Sequence, residues 1–288
     1  MCRFVLYMGP PITIDLLTTR PVYSIVRQSF QSRMRVEPLN GDGFGVAWYV
    51  PELTPEPAVY RSIQPAWNNV NLRNLARVTR SSVIMAHVRA ATSGLGVSEA
   101  NCHPFTAGRL AFMHNGSVGG WARVKRPLQQ QLSDEAFAQI GGTTDSEHIF
   151  ALFCDFLKQQ PEGDPTEQMA NALEAMITHV VEQTQSLGIT KRTHLNLVVS
   201  DGSRAVASRF TSGPGDAPSL YVQTGKKYAC DNGSCLMVET NEPHEALLVA
   251  SEPLTDEPGW KPVPRNHLLL VRPDLSLHYR PLNLGDVA

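Results

Sequence analysis

The chain has 288 residues, 42% of them hydrophobic and 18% charged, with 21 glycines, 21 prolines and a formal net charge of -2. That length admits one large domain or two small ones. The near-neutral charge, with no basic stretch denser than Lys191-Arg192 or Lys226-Lys227, argues against a nucleic-acid surface, and no window is apolar enough to cross a membrane or lead export.

In chain order, Cys2 to Met8 alternates and reads as a strand closed by a turn at Gly9-Pro10-Pro11. Val22 to Phe30 reads as a short amphipathic helix. The turn Asn40-Gly41-Asp42-Gly43 precedes a buried strand, Phe44 to Val50, and the proline-rich run 51–57 links it to Ala58–Arg61. A helix is expected over Leu72–Thr79, then apolar strands over Ser82–Arg89 and Leu110–His114, the second stopped by Asn115-Gly116. Helical periodicity covers Ser146–Leu157 and Thr166–Gln185, the latter with a possible kink. The last third returns to strands at 194–200, 205–208, 220–222, 236–239, 245–251 and 267–272. Strands, two central helices and strands again suggest sheets covered by helices, and no composition break marks a linker, so one domain spanning 1–288 is expected.

The five cysteines are odd in number and scattered, unlike a disulfide framework, which fits a reducing, cytoplasmic compartment. Cys230 and Cys235 lack other ligands for a metal knuckle and read as a surface pair or a chance spacing. Cys2 is either the first buried residue of a strand or, once Met1 is removed, a nucleophile carrying its own base. An α-amino group titrates near ~8 and a thiol near ~8.5, so both are partly deprotonated near neutrality.

Polar residues cluster where hydrophobic strands stop: His87-Val88-Arg89-Ala90-Ala91-Thr92, Asn101-Cys102-His103-Pro104-Phe105 and His114-Asn115-Gly116. The planar fork of Arg89 suits a carboxylate. Asn115 and Gly116 offer an amide and an unencumbered N–H at a turn, the donors an oxyanion needs, although Gly116 is also what a plain turn needs. Asp145 either caps the helix after it or holds an ammonium group. His87, His103 and His114 lack the spacing of a zinc site; His103 is expected to shape a pocket with His114 or His87 packed beneath it.

Together with Met1-Cys2-Arg3-Phe4, Asn40 to Gly45 and Thr144-Asp145-Ser146-Glu147, these motifs resemble, in order, a class II glutamine amidotransferase domain of the N-terminal-nucleophile hydrolase superfamily. Val249 to Leu254 and Trp260 to His267 extend the likeness, which is strongest to the stand-alone branch containing the amidotransferase-like subunit of fungal glutathione degradation and the ergothioneine-synthesis amidohydrolase. The resemblance implies an α+β fold, a four-layer αββα sandwich of two antiparallel sheets. It implies Cys2 as nucleophile with Asn115 and Gly116 as oxyanion donors. Arg89 and Asp145 would hold the charged groups of a γ-glutamyl head, with Thr92 and His103 also on the substrate side. No cofactor and no metal are implied. A small γ-glutamyl compound is the expected substrate, with a metal-dependent dipeptidase or a synthase as possible partner and neither nucleic acid nor membrane. No phosphate-cradling glycine motif for a fused synthase is present. Hydrolysis is therefore favoured over ammonia delivery, a silent γ-glutamyl-binding regulatory subunit or a zinc hydrolase.

Overall fold

The structure, a computed structural model, describes residues 2–34, 39–91, 96–231, 234–239, 241, 243 and 245–284. Strand β1 (Arg3–Thr13) is followed by short helices α1 (Asp15–Thr18) and α2 (Ile25–Phe30), then by β2 (Phe44–Val50) and β3 (Thr54–Ser62). Helix α3 (Val70–Ala76) leads into β4 (Arg80–Val88), and β5 (Phe105–Ala107) pairs with β6 (Leu110–Ser117). Helices α4 (Trp121–Gln129), α5 (Asp134–Ala138), α6 (Asp145–Lys158) and α7 (Pro165–Ser186) fill the middle. Strands β7 (His194–Ser200), β8 (Ala205–Arg209), β9 (Tyr221–Gly225), β10 (Lys227–Asp231) and β11 (Ser234–Val238) follow. The last are β12 (Ala246–Ala250), β13 (Lys261–Pro262), β14 (His267–Val271) and β15 (Leu277–Pro281).

Two antiparallel sheets result. One has the order β13-β9-β12-β1-β4-β2-β3 and the other β15-β14-β8-β7-β6-β5. Alternation of side chains along each strand divides the core into three apolar layers. Phe4, Leu6, Met85, Met113, Val198 and Val249 meet between the sheets. Val5, Tyr7, Ile84 and Leu248 face the other way, against α1–α3 and the β10–β11 hairpin. Phe112, Leu197 and Leu268 pack on the apolar faces of α6 and α7. The expected αββα sandwich is what forms.

Helix ends follow from local chemistry. The Thr144 hydroxyl accepts from Glu147 N and caps α6, while Asp164 accepts from the amides of Thr166 and Glu167 ahead of Pro165. Helix α7 runs 22 residues without a proline inside it and shows no break. Several boundaries differ from expectation. Strand β1 does not stop at Gly9-Pro10-Pro11; it crosses them with a register shift between Met8 and Ile12, a bulge that tolerates residues lacking an N–H. Strand β6 does not stop at Asn115-Gly116, which pair with Asn196 and Leu195. Of the two readings of Cys230 and Cys235 the pair holds and the chance spacing does not: as directly opposed partners of the β10–β11 hairpin they form a disulfide, while Cys2, Cys102 and Cys154 are free. Among the described residues no helix is long and apolar enough to cross a membrane.

Candidate active site

The alternation that builds the middle layer also builds the site. Phe4 and Leu6 of β1 point between the sheets, and continuing that parity places Cys2 there. Met85 on β4 extends by the same rule to His87 and Arg89, Met113 on β6 to Asn115, and Val249 on β12 to Ser251. By this parity four strands bring Cys2, Arg89, Asn115 and Ser251, in or just beyond their paired segments, into the intersheet layer. The β1–β4 register, Arg3 opposite Val88, sets Cys2 across from Arg89, and the Cys2 thiol reaches the Ala90 carbonyl at 3.7 Å.

Arg89 is 3% exposed, yet its guanidinium has no carboxylate partner among the described residues. It makes two long hydrogen bonds, to the carbonyls of Asp42 (3.3 Å) and Gly96 (3.4 Å). A buried cation with five donors and so few partners is expensive unless an anion joins it. The Asn40–Gly43 turn braces it: the Arg89 amide donates to Gly43 O, and the Asp42 carboxylate accepts from Ala91 N at 2.8 Å. Thr92 lies outside the described residues.

Asn115 is fully buried. Its Nδ2 donates to Ser251 Oγ at 3.2 Å and its Oδ1 has no partner. Ser251 Oγ also accepts from Phe4 N at 3.1 Å, so one hydroxyl links β1 to β6 in the opposite sheet. Gly116 is not in a turn. A Cβ there would meet His194 O at 1.9 Å, so only glycine permits this approach of β6 to β7. Leu195, opposite Gly116, donates its own N–H to Phe210 on the far side, so the pair is of the kind that exchanges no bonds and the Gly116 N–H faces away from β7.

Asp145 is not the cap, since Thr144 fills that role. Its Oδ2 accepts from Val118 N at 2.8 Å and its Oδ1 from Ser146 N at 2.8 Å, which fastens the start of α6 to the end of β6 beside Gly116. Behind it, His114 Nε2–H donates to His194 O at 3.0 Å. That leaves Nδ1 to accept from the Ser146 hydroxyl at 2.9 Å.

His103 is buried rather than presented to a ligand. One face stacks on His87 at 4.0 Å, Phe105 meets it edge-on at 4.6 Å, and neither ring nitrogen has a partner. Its main chain sits where a Cβ on Gly45 would be, 2.1 Å from His103 O. His103 is thus packed behind His87 and Phe105, with 3% of its surface exposed. Burial pushes His87 down to about 3 and His103 well below its usual value, so both are neutral in the fold. An unfolded chain takes up these protons below pH ~6.5, which lowers stability as pH falls, by up to about 1.4 kcal/mol per pH unit for each ring. Urea midpoints measured from pH 7 to 5 are expected to fall, and His103→Leu to flatten the slope; an identical slope in that variant contradicts the reading.

Three residues near the site had no assigned role in the sequence: Ser251, Arg3 and Glu252. The buried Arg3–Glu252 ion pair lies directly beside Cys2. The signal available was the polar pair Ser251-Glu252 ending the apolar run 246–250. An open groove of about 860 Å³ lined by Arg27, Phe30, Trp67, Arg73 and Arg77 lies on the outer helix layer and contains none of these groups.

The family model for class II glutamine amidotransferases matches residues 17–277. The Saccharomyces cerevisiae protein named Probable glutamine amidotransferase DUG3 is 40% identical over 293 residues, covering 94% of this chain and 82% of its own. The γ-glutamyl-hercynylcysteine sulfoxide hydrolase of Mycolicibacterium smegmatis is 27% identical, covering 94% and 96%. Among solved structures, a glutamine aminotransferase class-II domain protein from Silicibacter pomeroyi superposes with a TM-score of 0.69 at 27% identity, covering 98% of this chain and 99% of that one. With a family model that matches residues 17–277 and a relative 40% identical across 94% of its length, the chain belongs to the class II glutamine amidotransferases.

Proposed function

We propose that residues 1–288 form a single cytoplasmic amidohydrolase domain that cuts γ-glutamyl amide bonds through a glutamyl thioester on Cys2. One observation carries this reading: a buried guanidinium, Arg89, with no carboxylate partner among the described residues, set across the sheet from a free thiol. The carboxylate of an incoming head group supplies the missing charge. Asp145, which accepts a hydrogen bond from Val118 N two residues beyond Gly116, receives the ammonium group of the same zwitterion. Reading both charges selects γ-glutamyl over ordinary peptide bonds.

With Met1 removed, the Cys2 amine takes the thiol proton as sulfur attacks the γ-carbonyl. The tetrahedral oxyanion is met by the second N–H of the Asn115 amide and by the Gly116 N–H. The amine then returns its proton to the departing nitrogen. Water, activated by that amine, releases glutamate from the thioester. His103 enters only as shape around the head group.

The names of two relatives support the substrate class: one is named a hydrolase of γ-glutamyl-hercynylcysteine sulfoxide, and the other a probable glutamine amidotransferase. If the leaving group is a cysteinyl dipeptide, a metal-dependent dipeptidase is the fitting partner; a synthase fits if it is ammonia. Processed protein incubated separately with glutamine, glutathione and a γ-glutamyl sulfoxide conjugate tests this. Glutamate is expected from at least one of them, together with its leaving amine in equal amount. Binding of all three with glutamate from none contradicts hydrolysis and favours a silent binding subunit.

A further inference from the structure

A nucleophilic residue whose amine must exchange protons cannot be anchored through that amine, and chain ends fray unless something else ties them down. Regular pairing of β1 begins only at Arg3, one residue beyond Cys2. What holds the Cys2 main chain is its carbonyl, which accepts from Arg3 Nη1 at 2.8 Å. Arg3 is 1% exposed and spends its other donors inside the protein: Nε on the Glu252 carboxylate and on Ser32 Oγ at 3.2 Å, Nη2 on Met34 O at 3.0 Å. Glu252, also 1% exposed, accepts further from the Ser32 hydroxyl, from Arg33 N at 2.9 Å and from Met34 N at 3.2 Å. A single ion pair therefore grips the Cys2 carbonyl on one side and the 32–34 main chain on the other.

We infer that Arg3 and Glu252 are positioning residues for catalysis, a buried clamp that fixes the Cys2 main chain and thereby aims both its thiol and its amine at the γ-carbonyl. The inference rests on Cys2 being the nucleophile. Stability alone does not account for the pair, because the desolvation of two charges offsets most of their attraction and well-packed apolar substitutes are often neutral. Geometry does account for it. Only a guanidinium reaches a carboxylate, a neighbouring carbonyl and a second loop carbonyl at once, and one ammonium cannot span them. Burial raises the Glu252 carboxyl, but the Arg3 charge and the hydrogen bonds from Ser32 and Arg33 outweigh it, so the acid is held below its ordinary range and is ionised at neutral pH.

The test compares Arg3→Lys and the double variant Arg3→Met/Glu252→Met with wild type, using mass spectrometry to verify that each chain starts at Cys2. Both are expected to melt within a few degrees of wild type and to keep KM within about threefold, since the head-group residues are untouched. Misplacement of the nucleophile is expected to lower kcat roughly ten- to hundredfold. A folded double variant, or Arg3→Lys should the double variant not fold, that retains wild-type kcat overturns the clamp. So does a rise in KM with kcat unchanged, which would mark Arg3 as support for the substrate pocket. Cys2→Ala run alongside separates the two ideas: continued glutamate release there overturns the nucleophile, whereas an inactive Cys2→Ala beside a fully active clamp variant overturns the clamp alone.

Discussion

Cys2→Ala is expected to lose at least about 10⁴-fold in kcat, the scale seen when a nucleophile acting as a unit with its base is removed, while keeping its fold and its affinity for glutamate. The fold is indifferent to the change because the Cys2 thiol's hydrogen bond among the described residues is a long one, to the Ala90 carbonyl, and β1 is secured from Arg3 onward by β4 and from Val5 by β12. Neither remaining free cysteine replaces it. Cys102 is buried against the carbonyls of Ser62 and Ser98, and burial pushes its thiol up to about 11; Cys154, inside α6, is pushed up to about 12. Both are held as unreactive thiols. Glutamate release assayed over a thousandfold range of enzyme checks the loss, and thermal melting checks the fold.

Arg89→Met is expected to move stability and affinity in opposite directions. Without substrate the guanidinium is a buried charge on two long hydrogen bonds, so replacing it by a flexible apolar chain removes a desolvation cost. A gain near 1 kcal/mol corresponds to a melting point about 2–4 °C higher in a chain of this size. The same change removes the carboxylate partner. Arg89→Lys, which keeps the charge but loses the fork, is expected to give up about 1.5–3 kcal/mol of binding, roughly ten- to hundredfold in kcat/KM. Most of that appears in KM, because the head group is held alike in ground and transition states. Glutamate titration and melting curves on the three proteins decide it: a destabilised Arg89→Met with normal affinity makes Arg89 a structural residue.

These predictions draw on features the sequence exposes to different degrees. The polar clusters that close β4 and β6 are legible as strand-end motifs, but both strands are apolar on both faces, so it is the register with β1 that shows which of these residues share a layer with Cys2. Strand ends are less readable. Asn115-Gly116 looks like a turn because glycine permits one, yet here it permits close approach to the His194 carbonyl within an unbroken ladder. The same ambiguity misplaced the end of β1, where two prolines sit in a bulge. Asp145 looks like a cap because it precedes a helix, but Thr144 one residue earlier takes that place and frees the carboxylate to reach Val118. Ser251 and Glu252 lie some 250 residues from the strand they hold, and nothing local announces such a partnership. The Cys230–Cys235 bond depends on the hairpin register between them, which two residue positions alone do not fix.

Mass spectrometry of processed protein quenched during turnover of a γ-glutamyl substrate tests the central chemistry most directly. A single glutamyl group is expected on the peptide beginning at Cys2, labile to hydroxylamine and lost in Cys2→Ala. Steady glutamate release with no adduct there, or with the adduct on Cys102 or Cys154, contradicts it.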